Sequence, residues 1–175
     1  MDLFEFVGLV AVIMLGYFLY REHKRNEERD QNRVDDLKER KAKRDIIAKH
    51  EAYKLQIGVR FTKDNYVVSY REQQTLDQYE GIDIIATNEI EICLIACKNS
   101  TKHIVKDDYM KEFFNSCVRY ANKYYKNDQR EIKFIYVLAG KIHESAIHYI
   151  DRMRHDKWLL EYRVIPDKSN EINAL

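Results

Sequence analysis

The hydrophobic pattern of the chain opens with one long apolar run. Residues 6–20 (FVGLVAVIMLGYFLY) hold no charged side chain, and extending the run back to Leu3 adds only Glu5. Wound as a helix, residues 3–20 extend about 27 Å, close to the roughly 30 Å hydrocarbon core of a bilayer. Tyr17 and Tyr20 fall where interfacial aromatics belong, and Arg21, Lys24 and Arg25 follow at once. Basic residues flanking a span mark its cytoplasmic side. A cleavable signal peptide fits poorly, because the leading residues are acidic and no small-x-small site follows. A buried core helix would show a polar stripe. The pattern therefore predicts a single transmembrane helix over residues 3–20, in the cell (inner) membrane, with the rest of the chain on the cytoplasmic side. Gly8 and Gly16 are not spaced as a GxxxG face, so the oligomeric state of the span stays open.

From residue 21 the pattern turns almost wholly polar. Residues 21–45 contain ten Lys/Arg and eight Asp/Glu, with no Gly or Pro. Pairs such as Glu39 with Lys43 have the favourable i,i+4 order for a helix. Val34 and Leu37 are the only larger apolar side chains, too few for a heptad seam. The expectation is a charged helical stalk over residues 21–43. Binding of anionic lipid along it is disfavoured because its acids nearly cancel its bases.

Regular periodicity begins beyond the stalk. Residues 42–56, with Ile46, Ile47, Tyr53 and Leu55 among polar neighbours, read as a helix ending near Gly58. Residues 59–70 include VVSY and read as extended. GIDIIAT (81–87) and EICLIACK (91–98) read as two strands around a short turn at Asn88 and Glu89. Residues 107–126 form the clearest helix: Met110, Phe113, Phe114, Cys117, Val118, Ala121, Tyr124 and Tyr125 recur at helical spacing, and Asp107 or Asp108 can cap its start. FIYVLA (134–139) is the continuous apolar run of a central strand covered on both faces. A helix carrying Ile142, Ala146, Ile147, Ile150 and Met153 follows, then a last strand over 159–165, stopped by Pro166. This order predicts an α/β domain with a mixed central sheet flanked by helices over residues 44–166, with a loose tail over 167–175.

Composition agrees with one domain plus an appendage. The chain has 175 residues, 45% hydrophobic and 34% charged, with 5 Gly and 1 Pro, too apolar and too poor in breakers for a disordered chain. Its formal net charge is +1. That balance neither demands nor excludes nucleic acid, since a basic face would have to arise by local segregation. Three cysteines make an odd set without a disulfide framework, which suits a reducing compartment.

Candidate chemistry concentrates at Gly81-Ile82-Asp83 and at Ala96-Cys97-Lys98-Asn99. Period-2 alternation puts Ala96 and Lys98 on one face of their strand and Cys93, Ile95 and Cys97 on the other. An Asp on one strand and a Lys ending the next can converge at a sheet edge, where a carboxylate can hold Mg2+ and an ammonium can position water. A simple ion pair at a strand end is the plainer alternative. Cys93 and Cys97 stand roughly 13 Å apart on a strand, too far for one zinc. The six histidines are scattered, without an HExxH. Tyr120, Tyr124 and Tyr125, interleaved with Arg119, Lys123 and Lys126, can stack bases and contact phosphates, although a core face with a solvated basic edge explains them better.

On these residues the chain resembles the PD-(D/E)XK nuclease superfamily, and especially its Mrr-like restriction endonuclease branch. GIDIIA is similar to that branch's G-x-D strand, CLIACKN to its apolar strand ending in (E/Q)-x-K, and VLAGKIHESAIHYI to the strand-to-helix segment that follows. The resemblance covers roughly residues 44–166. It implies a restriction-endonuclease-like fold and metal-dependent cleavage of DNA phosphodiesters, with Asp83 as metal ligand, Lys98 as catalytic lysine and Mg2+ as cofactor. Ala96 stands where the branch places Glu or Gln. Either the missing ligand is supplied by Glu112 in the next helix, by Glu80 beside the aspartate, or by Glu51 as an auxiliary acid in the first helix, or the domain is an inactive membrane adaptor that binds protein or nucleic acid. The expected partners are DNA, through basic residues such as Lys123 and Lys126, and the membrane. A structural envelope component is a third possibility.

Overall fold

A computed structural model of the chain describes residues 3–71, 81–101, 104–153 and 158–168, apart from the side chains of residues 3–13, 15 and 19. The elements in order are α1 (Leu3–Lys63), β1 (Val67–Tyr70), β2 (Ile84–Thr87), β3 (Glu91–Lys98), β4 (Ile104–Val105), α2 (Asp107–Tyr124), β5 (Glu131–Leu138), β6 (Lys141–Ile142), α3 (Glu144–Met153) and β7 (Leu159–Val164). They fall into two compact units, Met1–Ile46 and Ile47–Leu175.

The first unit is the long amino-terminal part of α1. Its described side chains from Tyr20 onward are exposed, including Val34 and Leu37. Ion pairs along the helix, such as Arg40 with Asp36 at 2.9 Å and Lys43 with Glu39 at 2.6 Å, follow the i,i+4 spacing. Each exposed pair of this kind contributes little, about 0.3–0.5 kcal/mol. Among the described residues no helix is long and apolar enough to cross a membrane. Most side chains of the expected span over residues 3–20 lie outside the described residues.

The second unit is an α/β domain with a mixed five-stranded sheet of order β1-β2-β3-β5-β7. The β1–β2 and β2–β3 pairs are antiparallel, while β3–β5 and β5–β7 are parallel. The β2–β3 turn is closed by Asn88, whose Oδ1 accepts the N–H groups of Ile90 and Glu91 at 2.8 Å each. Because β3, β5 and β7 advance in one direction across the sheet, right-handed crossovers put both connecting helices on the same face. Accordingly α2 and α3 pack with Ile92, Leu94, Ala96, Phe134 and Tyr136. The other face, with Cys93, Ile95, Cys97, Ile135 and Val137, is covered by Tyr53, Ile57 and Phe61 of α1. The expected alternation of β3 holds, with Ala96 on one face and the cysteines on the other.

The first helix departs from its expected course. It does not stop near Gly58 but runs to Lys63 and ends where Asn65 takes a left-handed conformation at φ 65°. There the Tyr66 N–H reaches the Phe61 carbonyl at 3.0 Å and the Asn65 N–H reaches Thr62 at 3.2 Å, a Schellman closure backed by the Phe61–Tyr66 ring contact. Gly58 serves packing instead: a Cβ there would lie 2.1 Å from the Tyr70 hydroxyl. Of the apolar positions that marked this helix, Tyr53 is buried, while Ile46, Ile47 and Leu55 are exposed. Two further corrections are local. Lys106, not Asp107 or Asp108, occupies the N-cap of α2, without a side-chain cap bond, while Asp107 bonds Lys111 and Ser145. A two-residue parallel ladder between β4 and β6 had no periodic signal. In the tail, Gln56 Nε2 donates to the Pro166 carbonyl and Gln56 Oε1 accepts the Lys168 N–H, at 2.9 Å each. Residues 169–175 lie outside the described residues.

Gly140 is a sensitive point of this packing. A Cβ there would meet the Ser100 carbonyl oxygen at 2.6 Å and the Thr101 Cα at 3.1 Å, both backbone atoms that cannot swing aside. Gly140→Ala is expected to lose about 1–3 kcal/mol in urea unfolding. An unchanged midpoint would mean that the 99–101 loop yields freely.

Candidate active site at the ends of the parallel strands

In an open sheet with parallel strands, the crevice at their carboxyl ends is the usual place for ligands. Here β3, β5 and β7 finish level with one another. The Ala139 N–H reaches the Lys98 carbonyl and the Ile165 N–H the Leu138 carbonyl, each at 2.9 Å. Strand β2 begins at Ile84, opposite Ile95, so it offers no backbone partner to Cys97. Asp83 fills the gap: its Oδ2 accepts the Cys97 N–H at 2.7 Å. Its own N–H donates to the Ile95 carbonyl at 2.8 Å, and its carbonyl accepts the Arg71 N–H at 2.9 Å. The side chain of Asp83 is buried by its neighbours, and its carboxylate terminates the β2–β3 ladder.

Below this rim, α1 contributes three polar side chains. Lys54 is 1% exposed. A buried ammonium is costly unless its donors are met, and Nζ reaches Glu51 Oε1 at 3.1 Å and the Arg71 carbonyl at 3.0 Å. His50 Nε2 lies 3.0 Å from the Cys97 carbonyl. A carbonyl only accepts, so Nε2 carries the proton. His50 Nδ1 stands 3.8 Å from the same Glu51 carboxylate. Lys54, Arg71, Asp83 and Cys97 thus form a continuous chain of hydrogen bonds from helix to sheet.

The Cys97 thiol reports what surrounds it. Burial pushes it far up, Asp83 and Glu51 push it further, and Lys54 and Lys98 pull it back. Of the residues expected to form the site, Asp83 bonds the Cys97 N–H, Lys98 follows Cys97 in the strand, and Glu51 bonds Lys54 in the helix beneath. Lys98 itself is exposed, as the last residue of β3. Glu112 is exposed in α2, on the other face of the sheet. Tyr136 is raised first by burial, then by Asp83, Tyr109 and Glu112. One step beyond Ile84↔Ile95, Asp83 lies level with Ala96, which pairs with Tyr136, which in turn pairs with Tyr162. This row crosses the end of the sheet with a carboxylate and two phenols and, at Ala96, no polar atom.

The other expected residues are placed elsewhere. An 18-residue α2 extends about 27 Å, and Lys123 and Lys126 lie at and just past its far end. Lys123 Nζ stands 4.8 Å from the Tyr124 ring centre, and Tyr120 lies under the Arg71 guanidinium at 5.0 Å. The three cysteines are free and buried, and burial pushes Cys93 up to about 12. Glu80 lies outside the described residues. Among the described residues no group of three His, Cys, Asp or Glu side chains is placed to hold a metal ion. Asp83 and either Glu51 or Glu112 match Mg2+ in donor type, since Mg2+ takes one or two carboxylates and completes its shell with water and substrate phosphate.

Sequence reasoning missed Lys54, His50 and Tyr136. The signal for the first two was present: positions 50, 54, 57 and 61 follow the i, i+4, i+7, i+11 stripe of a buried helix face, and two of them are cationic types. Residue type masked the pattern.

The ladder-ending role of Asp83 separates cleanly from any chemistry. In Asp83→Asn the amide oxygen still accepts the Cys97 N–H, and stability should stay within about 1 kcal/mol of the parent. Asp83→Ala leaves that buried N–H unmet and should cost about 1–3 kcal/mol in urea unfolding. Equal losses in both variants would remove this account of the residue.

No family model matches the chain, and comparison with curated proteins and with solved structures returned no match.

Proposed function

We propose that the chain is a membrane-anchored, nuclease-like protein that acts on DNA by metal-dependent phosphodiester cleavage. In this reading residues 3–20 span the cell membrane once and the α/β domain lies on the cytoplasmic side. The observation that carries the reading is the placement of Asp83, whose Oδ2 accepts the Cys97 N–H at 2.7 Å, beside Lys98, the next residue and the exposed end of β3. A helix, a three-stranded antiparallel meander, a helix and a parallel strand, in that order, agree with the restriction-endonuclease-like fold that the sequence resembles.

The residues divide the work by position. Asp83 and one of Glu51 and Glu112 would hold Mg2+, which supplies charge neutralisation at a phosphate and a more acidic bound water. Lys98, in solvent at the strand end, is free to reach a scissile phosphate. Lys54 keeps Glu51 oriented from beneath. Lys123 and Lys126 would contact backbone phosphates away from the scissile one, adding affinity but no sequence preference.

A second reading, a catalytically inactive membrane adaptor on the same fold, is favoured by one specific observation. Ala96 is fully buried where the resembled family carries a Glu or Gln, and Asp83 Oδ2 is committed to a backbone N–H.

A plasmid-nicking assay on the detergent-solubilised full chain, over a Mg2+ and Mn2+ titration, distinguishes the two. The enzyme reading expects metal-dependent nicking that Asp83→Asn and Lys98→Met each reduce by about two orders of magnitude or more. DNA binding without cleavage at any metal concentration would sink it in favour of the adaptor. In the same preparation, Lys123→Ala with Lys126→Ala should weaken DNA binding and flatten its salt dependence by about one to two charges.

A further inference from the structure

Where the expected span meets the stalk, helix α1 carries an arginine at every fourth position: Arg21, Arg25, Arg29 and Arg33. At 3.6 residues per turn each step advances about 6 Å and rotates about 40°, so the four lie along one face of the helix. Like charges at i,i+4 disfavour a helix by a few tenths of a kcal/mol per pair, so helix formation does not explain the ladder. Nor does local pairing: among the described residues Arg33 reaches Asp30 at 3.9 Å, whereas Arg21, Arg25 and Arg29 take part in no ion pair. All are exposed. The acids Glu27 and Asp30 rotate away from this face, while Glu22 and Glu28 border the first three arginines, one on each side, at about 60° from Arg25. Within the near-neutral stalk this arc therefore carries three arginines, none of them in an ion pair among the described residues, between two bordering glutamates.

The exposed side chains of Phe18, Arg21, Glu22, Arg25, Asn26 and Arg29 line an open depression of about 260 Å3 along the helix. Its lining includes an aromatic ring, three guanidinium groups and the Glu22 carboxylate. Headgroup layers add roughly 5–7 Å on each side of the hydrocarbon. With Tyr20 at its edge, Arg21 and Arg25 fall within that layer, and Arg29 is within side-chain reach of its outer margin.

We propose that Arg21, Arg25 and Arg29 form a binding face for the phosphate of anionic phospholipid headgroups, with Phe18 seated at the acyl boundary. The face rests on the reading of residues 3–20 as a membrane span. A guanidinium presents paired donors that match phosphate oxygens, and the match gains strength beside a low-dielectric surface. Occupied by headgroups, the ladder loses its self-repulsion. The lipid also fixes how far the helix emerges.

Native mass spectrometry of the full chain, released from mixed micelles of phosphatidylglycerol and phosphatidylcholine with identical acyl chains, tests the proposal. The unaltered chain should retain phosphatidylglycerol over phosphatidylcholine by roughly fivefold for each arginine at headgroup depth. The variant R21Q/R25Q/R29Q should retain the two lipids equally, and its helicity should persist, because Gln is a good helix former. R40Q/R44Q, farther along the same helix, should keep the preference. Equal retention by the unaltered chain, a preference that survives the triple substitution, or one lost equally in R40Q/R44Q would each overturn the headgroup face while leaving the span intact. Guanidinium-dependent capture of a short DNA duplex without lipid preference would overturn it as well. A full chain that stays soluble without detergent and enters no vesicle removes the span itself, and the face with it.

Discussion

Burial of β3 on both sides governs the rest of the domain. Residues 92–97 are all buried, with Ile92, Leu94 and Ala96 facing α2 and α3 and Cys93, Ile95 and Cys97 facing α1. A strand apolar on both faces is stable only between two helical layers. The last turns of α1 are therefore part of the core, not merely a continuation of the charged stalk. Tyr53 and Gln56 tie them to the chain after β7 through the Ile165 and Pro166 carbonyls. With both faces sealed, polar chemistry is confined to the ends of the strands, where backbone groups also need partners.

Asp83 meets that need, and in doing so is held in place. Its carboxylate is fixed by the Cys97 N–H, its carbonyl by Arg71, and Arg71 in turn by Lys54. A group so anchored is preorganised for any ligand that approaches its remaining oxygen. The same bonds that complete the ladder set the position of the carboxylate. Structure and proposed chemistry share one atom group, and only a substitution that keeps the hydrogen bond while removing the charge tells them apart.

Much of this was legible before any coordinates. The apolar runs of β3 and β5, the period of α2 and the turn at Asn88 carry strong local signals, and the level ends of GID and ACK follow from a hairpin register. The failures share a cause. Gly58 was read by its local meaning as a helix stop, whereas its role is to admit the Tyr70 ring, a contact between distant segments. Ile46, Ile47 and Leu55, apolar positions that helped to mark this helix, are exposed. The true stripe contains His50 and Lys54, whose burial depends on partners that only the folded chain supplies. The β4–β6 ladder is too short to have a period at all.

Ala96 is where the competing readings meet. Its neighbours in the sheet are Asp83 on one side and Tyr136 on the other, and Tyr136 packs edge-on against Phe113 at 5.3 Å. A small residue beside a large one keeps the row at constant volume, so a Glu at 96 would have to displace an aromatic ring or bury its carboxylate among Met110 and Phe113. The alanine is thus built into the packing of α2 against the sheet, and a ligand at that position is excluded by the core as a whole. Any second carboxylate must come from outside the row, from Glu51 on one face or Glu112 on the other. Glu51 is already paired with Lys54 across 3.1 Å, while Glu112 is exposed in α2. Glu112 is therefore the carboxylate whose removal discriminates best: among the described residues it makes no hydrogen bond or ion pair that would confuse loss of chemistry with loss of fold.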